Sequence, residues 1–134
     1  MTESSTATAP IRSYRDLRVW QQAMDLTEAT HRATQRFPES ERYGLVLQLR
    51  QAAVAVASNI AQGYARALGD YVGHLLASSG SLREVETQLL LSGRLGFLPP
   101  DEMETLLQAC DHIARMLGAL RKSLAARRAR AASS

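Results

Sequence analysis

Residues 45–66 read LVLQLRQAAVAVASNIAQGYAR, and the spacing inside this stretch decides the fold. Leu45, Leu49, Ala52, Val56 and Ile60 recur in steps of four and three, which places them on one face of a helix turning every 3.6 residues. A half-buried strand would alternate apolar and polar residues, and no such alternation is present. The longest unbroken apolar run, Ala52 to Ala57, is six residues, far below the ~20 that a membrane-crossing helix needs. The stretch is therefore a helix built to bury one face in a core.

The same period extends in both directions. Upstream it runs through Val19, Ala23, Leu26, Thr30, Ala33 and Phe37; downstream through Tyr71, Leu75, Ser78, Leu82, Val85 and Leu89, then through Met103, Leu106, Cys110, Ile113, Leu117, Leu120 and Leu124. Pro38, Gly69, Gly96, Pro99 and Pro100 punctuate the intervals. Pro38 suits the first turn of the second helix, Asp70 the cap of the third, and Asp101, Glu102 and Glu104 the positive start of the fourth. Connections near 37–39, 66–70 and 96–100 are short enough to make consecutive helices antiparallel neighbours. The expected fold is all-α, an up-down-up-down four-helix bundle over residues 14–126, with helices of roughly 20 to 28 residues and so about 30 to 40 Å long. Residues 1–13 and the basic tail 127–134 read as disordered.

A length of 134 residues suits one core. The opening MTESSTATAP has neither the basic nor the apolar region of a secretory signal, so the cytoplasm is the expected compartment, without a membrane partner. The lone Cys110 can form no disulfide within the chain and reads as a core filler. The net charge of +3 hides an asymmetry: residues 1–111 carry 10 Arg against 13 Asp and Glu, whereas Arg115, Arg121, Lys122, Arg127, Arg128 and Arg130 end the chain with no acid among them. Such an arm attracts polyanions; basic residues also complement the dipole at a helix end.

No arrangement points to catalysis or to a cofactor. Glu28 and His31 form one Glu-x-x-His, but a di-iron bundle needs two, and helical spacing turns Glu28 away from the seam, which leaves the two as a surface pair. Cys110, Asp111 and His112 diverge by about 100° per step and cannot converge on a metal. His74 and Ser78 share a helix face without a third group to orient them. Two other patterns carry more. Trp20, Met24, Leu76 and Leu90, with Val72, lie beside the main stripes and mark an oligomer interface. Polar residues inside apolar segments, namely Gln48, Arg50, Gln51, Ser58, Asn59 and Gln62 with Glu84 and Glu86, predict a buried network in which Asn59 and Glu84 help to fix register.

The strings YRDLRVWQQAMDL at 14–26, FPESERYGLVLQLRQAAVAVASNIAQGYAR at 37–66 and SGSLREVETQL at 79–89 resemble the bacterial four-helix-bundle family first met as proteins encoded by intervening sequences in large-subunit ribosomal RNA genes. The resemblance spans about residues 14–124. It implies a ring-like homopentamer without enzyme activity, and a related branch, the accessory proteins of diversity-generating retroelements, binds nucleic acid together with a reverse transcriptase. The family's signature positions fall on Trp20, Phe37, Pro38, Tyr43, Gly44, Arg50, Asn59, Gly63, Arg66, Gly80, Ser81, Leu82 and Glu84. Gln51, Gln62 and Ser79 depart from it, and two expected cations are lost with Gln51 and Ser79. The resulting expectation is a non-enzymatic homo-oligomer, a pentamer by resemblance, that binds RNA or DNA weakly through Arg50, Arg66, Arg121, Lys122, Arg127, Arg128 and Arg130. The alternative is an adaptor whose ring binds another protein.

Overall fold

The stripes fold into four α-helices in a computed structural model that describes residues 10–133: α1 (Arg18–Thr34), α2 (Leu45–Tyr64), α3 (Leu68–Arg94) and α4 (Pro100–Ser133). Short 3₁₀ turns at Tyr14–Asp16 and Glu39–Glu41 precede α1 and α2, and no strand occurs among the described residues. Every residue of the first three stripes is buried, Phe37 in the loop after α1; in the fourth, Met103 and Leu120 are half-buried and the others buried. Burial of this many Leu, Ile and Val side chains, each contributing about 1.5 to 3 kcal/mol, drives the assembly. No helix is long and apolar enough to cross a membrane among the described residues.

Cross-helix contacts show how the rods lie. Thr27 Oγ1 donates to the carbonyl of Ala53 at 3.2 Å, while Arg50 Nε reaches Thr34 Oγ1 at 2.9 Å, so positions rise along α1 as they fall along α2. Ser78 Oγ donates to the Val56 carbonyl at 2.7 Å and Gln88 Nε2 to Gln48 Oε1 at 3.2 Å, the same reversal between α2 and α3. On α3 and α4, Gly93 lies against Met103 and Gly69 against Arg128. The ion pair between Arg36 and Glu102 brings the end of α1 to the start of α4. Among the described residues α2 packs on α1 and α3, and α4 on α1 and α3.

The element ends refine the expectations with clear physical causes. Pro38 caps the 3₁₀ turn and α2 starts only at Leu45. Asp70 sits inside the first turn of α3, whose cap position is Ala67 with no side-chain bond. Between α3 and α4, Gly96 takes φ +79°, and the N–H groups of Gly96 and Phe97 return to the carbonyls of Gly93 and Ser92 at 3.1 and 3.0 Å. This paired closure needs a left-handed residue, which glycine adopts without strain. Phe97 then packs on Phe37 with ring centroids 5.7 Å apart, tying both long connections together at one end.

Two boundaries change. Residues 127–133 continue α4 as helix; their alanines and arginines are strong helix formers, and the composition that suggested disorder is equally that of a helical extension. Residues 1–9 lie outside the described part, but Arg12 and Ser13 belong to the ordered entry: the Asp16 carboxylate accepts from both backbone N–H groups and Ser13 Oγ from Arg15 N, a reciprocal capping box.

Candidate nucleic-acid interface

The end of the molecule where α2 turns into α3 carries Arg66 and, on the end of α4, Arg121, Lys122, Arg127, Arg128 and Arg130, six of the 16 basic residues. Gly63, the last residue but one of α2, makes the crossing possible: a Cβ there would lie 2.7 Å from His74 Cβ. The chain turns at Ala65–Ala67, with Arg66 N–H bonded to the Gly63 carbonyl at 2.9 Å, and leaves the Arg66 side chain exposed. α4, at 34 residues, is about 51 Å long and runs back past this turn. Its Arg128 guanidinium lies over Gly69, 3.2 Å from where a Cβ would stand. Arg127 approaches Tyr71, whose phenol is pushed up by burial and by Tyr64 and pulled back by that guanidinium. Lys122 and Arg130 are exposed on the same segment, and Arg121 is half-buried with its Nε shielded from water.

The structure thus sets Arg128 over Gly69, one turn after Arg66, and Arg127 near Tyr71, at the same end of the molecule, and separates Arg50 from them. Arg50 belongs to the opposite half: besides Thr34, its Nη2 donates to the His31 carbonyl at 3.2 Å. A cation on the last carbonyls of α1 complements that helix's dipole, so Arg50 is a clip between α1 and α2.

The polar network expected from sequence divides into separate pairs. Asn59 Nδ2 donates to its own helix at the Ala55 carbonyl, 3.0 Å away, and its Oδ1 meets His74 Nδ1 at 3.1 Å. Gln48 pairs with Gln88, and Glu86 with Arg83 at 2.8 Å. Glu84 is exposed and joins no buried network. Glu28 pairs with Arg32 instead of His31, because the two lie one helical turn apart. Ser78 is spent on the Val56 carbonyl and His74 on Asn59, so those two do not pair. Cys110 is fully buried, and burial pushes its thiol up to about 12, the state of a packing residue and not of a nucleophile. No group of three His, Cys, Asp or Glu side chains able to hold a metal occurs among the described residues.

The apolar side chains expected at an interface also sort themselves. Met24, Leu76 and Leu90 are exposed, whereas Trp20 is half-buried against the core and covered edge-on by Tyr14 at 5.3 Å. Spacing had not singled out Tyr43, Leu47, Val54, Leu91 and Leu95, all exposed. Leu47 and Val54, seven residues apart, share the outer face of α2, a helix whose only charged residue is the engaged Arg50. Tyr43 is 81% exposed beside Arg42.

The molecule is a small all-helical protein with a basic end and an apolar outer surface. It belongs to the 23S rRNA-intervening sequence protein family, whose profile matches residues 15–119. The match includes Arg66 and the Asn59–His74 pair and stops before the basic extension at Arg121 to Arg130. A comparison with curated proteins gives no match.

Proposed function

We propose that this chain forms an up-down-up-down four-helix bundle that assembles with copies of itself, a pentamer by its resemblance, and binds RNA or DNA weakly in the cytoplasm without catalysing a reaction. The observation that carries the nucleic-acid reading is the seating of Arg128 over Gly69, one turn after Arg66. It turns a run of charge at a chain end into one rigid basic surface formed by a turn and a helix, and a copy of it on each subunit multiplies avidity. Assembly is supported by the outer face of α2, which shows Leu47 and Val54 to solvent with no exposed charge to keep partners away.

Replacing Arg121, Lys122, Arg127, Arg128 and Arg130 together by Gln tests the first part. The variant should keep its helical spectrum and lose most affinity for mixed RNA and DNA. Its slope of log K against log salt should also flatten, since each lost phosphate contact removes about 0.7 to 0.9 from that slope. Native protein that binds neither RNA nor DNA at ~50 mM salt would defeat the reading.

A second reading has its own support. Tyr43 and Leu47 near the start of α2 and Leu91 and Leu95 near the end of α3 are exposed at the end opposite the basic residues, with Arg42 beside Tyr43 and Arg94 in one groove with Leu91, and aromatic and Arg side chains are those that anchor protein interfaces. In that reading the bundle is an adaptor for another protein, a reverse transcriptase by its resemblance to retroelement accessory proteins, and apolar docking would persist at salt concentrations that release nucleic acid.

A further inference from the structure

Between the last turns of α2 and the first turns of α3 runs a groove of about 380 Å³, with Arg66, Asp70 and His74 in its walls and Asn59 beside them. Gly73 leaves its outer side open, since a Cβ there would meet nothing within 4 Å. Asn59 determines how His74 presents itself. The Ala55 carbonyl can only accept, so Asn59 turns its amide nitrogen toward it, at 3.0 Å, and its oxygen toward His74 Nδ1, at 3.1 Å. Nδ1 must then carry the proton. Nε2, the other ring nitrogen, holds a lone pair while the ring is neutral and becomes a second donor when the ring is charged.

Resting on the nucleic-acid reading above, we infer that this groove holds one backbone phosphate between Arg66 and Nε2 of His74, with Asn59 as the positioning residue, and that the contact strengthens as pH falls. A neutral Nε2 turns its lone pair to an anion and repels it; a protonated Nε2 donates a charge-assisted hydrogen bond. Arg66 keeps its charge throughout and fixes the phosphate from the turn. The other charged group in the groove is Asp70, one turn before His74; beyond its walls Tyr64 of α2 meets Tyr71 edge-on, Arg127 of α4 acts on Tyr71 and Arg128 of α4 lies over Gly69. Asp70 offsets one positive charge. Arg66 and a charged His74 then leave a net cationic groove, whereas with His74 neutral Arg66 and Asp70 cancel.

The test titrates a short labelled RNA of mixed sequence with the full chain at about pH 5.5 and pH 8, the interval over which histidine changes charge. Wild type should bind several-fold tighter at the lower pH, with a log K against log salt slope steeper there by about 0.7. His74→Gln should keep the affinity seen at high pH and lose the pH response. Asn59→Leu, which releases the ring, should shrink that response, and Asp70→Asn should tighten binding at both pH values. A pH response that survives in His74→Gln would overturn the inference and assign it to His31 or His112, the other two histidines. If wild type binds no RNA at either pH, the nucleic-acid reading falls. The groove is then judged by inorganic phosphate at the lower pH: a shift of the His74 ring resonances upholds the phosphate site, and unmoved resonances overturn it.

Discussion

The two ends of this bundle are built from the same kind of helix and differ in what they show to solvent. At one, the α2–α3 turn and the extension of α4 present Arg66, Lys122, Arg127 and Arg128 around small residues. At the other, Arg36 pairs with Glu102 and Arg42 with Glu39, and Tyr43, Leu47, Leu91 and Leu95 are among the exposed side chains. An end rich in basic side chains repels a copy of itself and attracts polyanions, whereas exposed apolar side chains gain by association. The contrast divides the proposed work between them, with assembly along the apolar surface and nucleic acid at the basic end.

The largest expected effect comes from charging the apolar side. Leu47→Asp with Leu91→Asp should reduce the mass seen by light scattering to that of the 14.7 kDa chain, while the five-residue Gln variant of the basic end should keep the wild-type mass. The reverse outcome would exchange the roles of the two ends. Next, Gly63→Ala should lower stability by about 1 to 3 kcal/mol, because overpacking a fitted contact costs that much and the new methyl would stand 2.7 Å from His74 Cβ. Gly80→Ala, where a Cβ meets nothing within 4 Å, should raise stability by about 0.5 to 1 kcal/mol through helix propensity alone. Urea melts of both variants measure this, and a destabilised Gly80→Ala would place another subunit's backbone against that face of α3.

Removing the clip should cost somewhat less. Arg50→Ala loses charged hydrogen bonds to Thr34 and the His31 carbonyl, each of a kind that contributes about 1.5 to 3 kcal/mol at best and less where water competes. We expect a loss of about 1 to 2 kcal/mol with nucleic-acid affinity unchanged; a fall in affinity at unchanged stability would return Arg50 to the basic surface. The smallest effect is at high pH. The Cys110 thiol is raised from 9.0 to about 12, so its contribution is fully present below pH 9.0 and lost as pH rises through about 12. Cys110→Ala should show a shallower alkaline loss over that interval in melting experiments.

Helical periodicity was enough to place the four helices and almost the whole core, because the choice of buried face is made locally, residue by residue, and water enforces it. Cys110 was legible for the same reason. Helix ends were read less well: Pro38 is compatible with several positions in a first turn, and the packing of Phe97 on Phe37 in the connections selects among them, while Asp70 lies inside the first turn of α3 instead of capping it. The partners of polar side chains were not legible at all. Arg50, Asn59 and Glu84 look alike as polar residues within apolar stretches, yet the first grips α1, the second orients His74 and the third faces water. Nor could spacing foresee that Arg128 would come to rest over Gly69, one turn after Arg66. A pattern along the chain carries the phase of each helix about its own axis, but which neighbour stands opposite, and at what level, follows from the register between rods, and that is set only when the glycines at 63 and 69 let the helices close on one another.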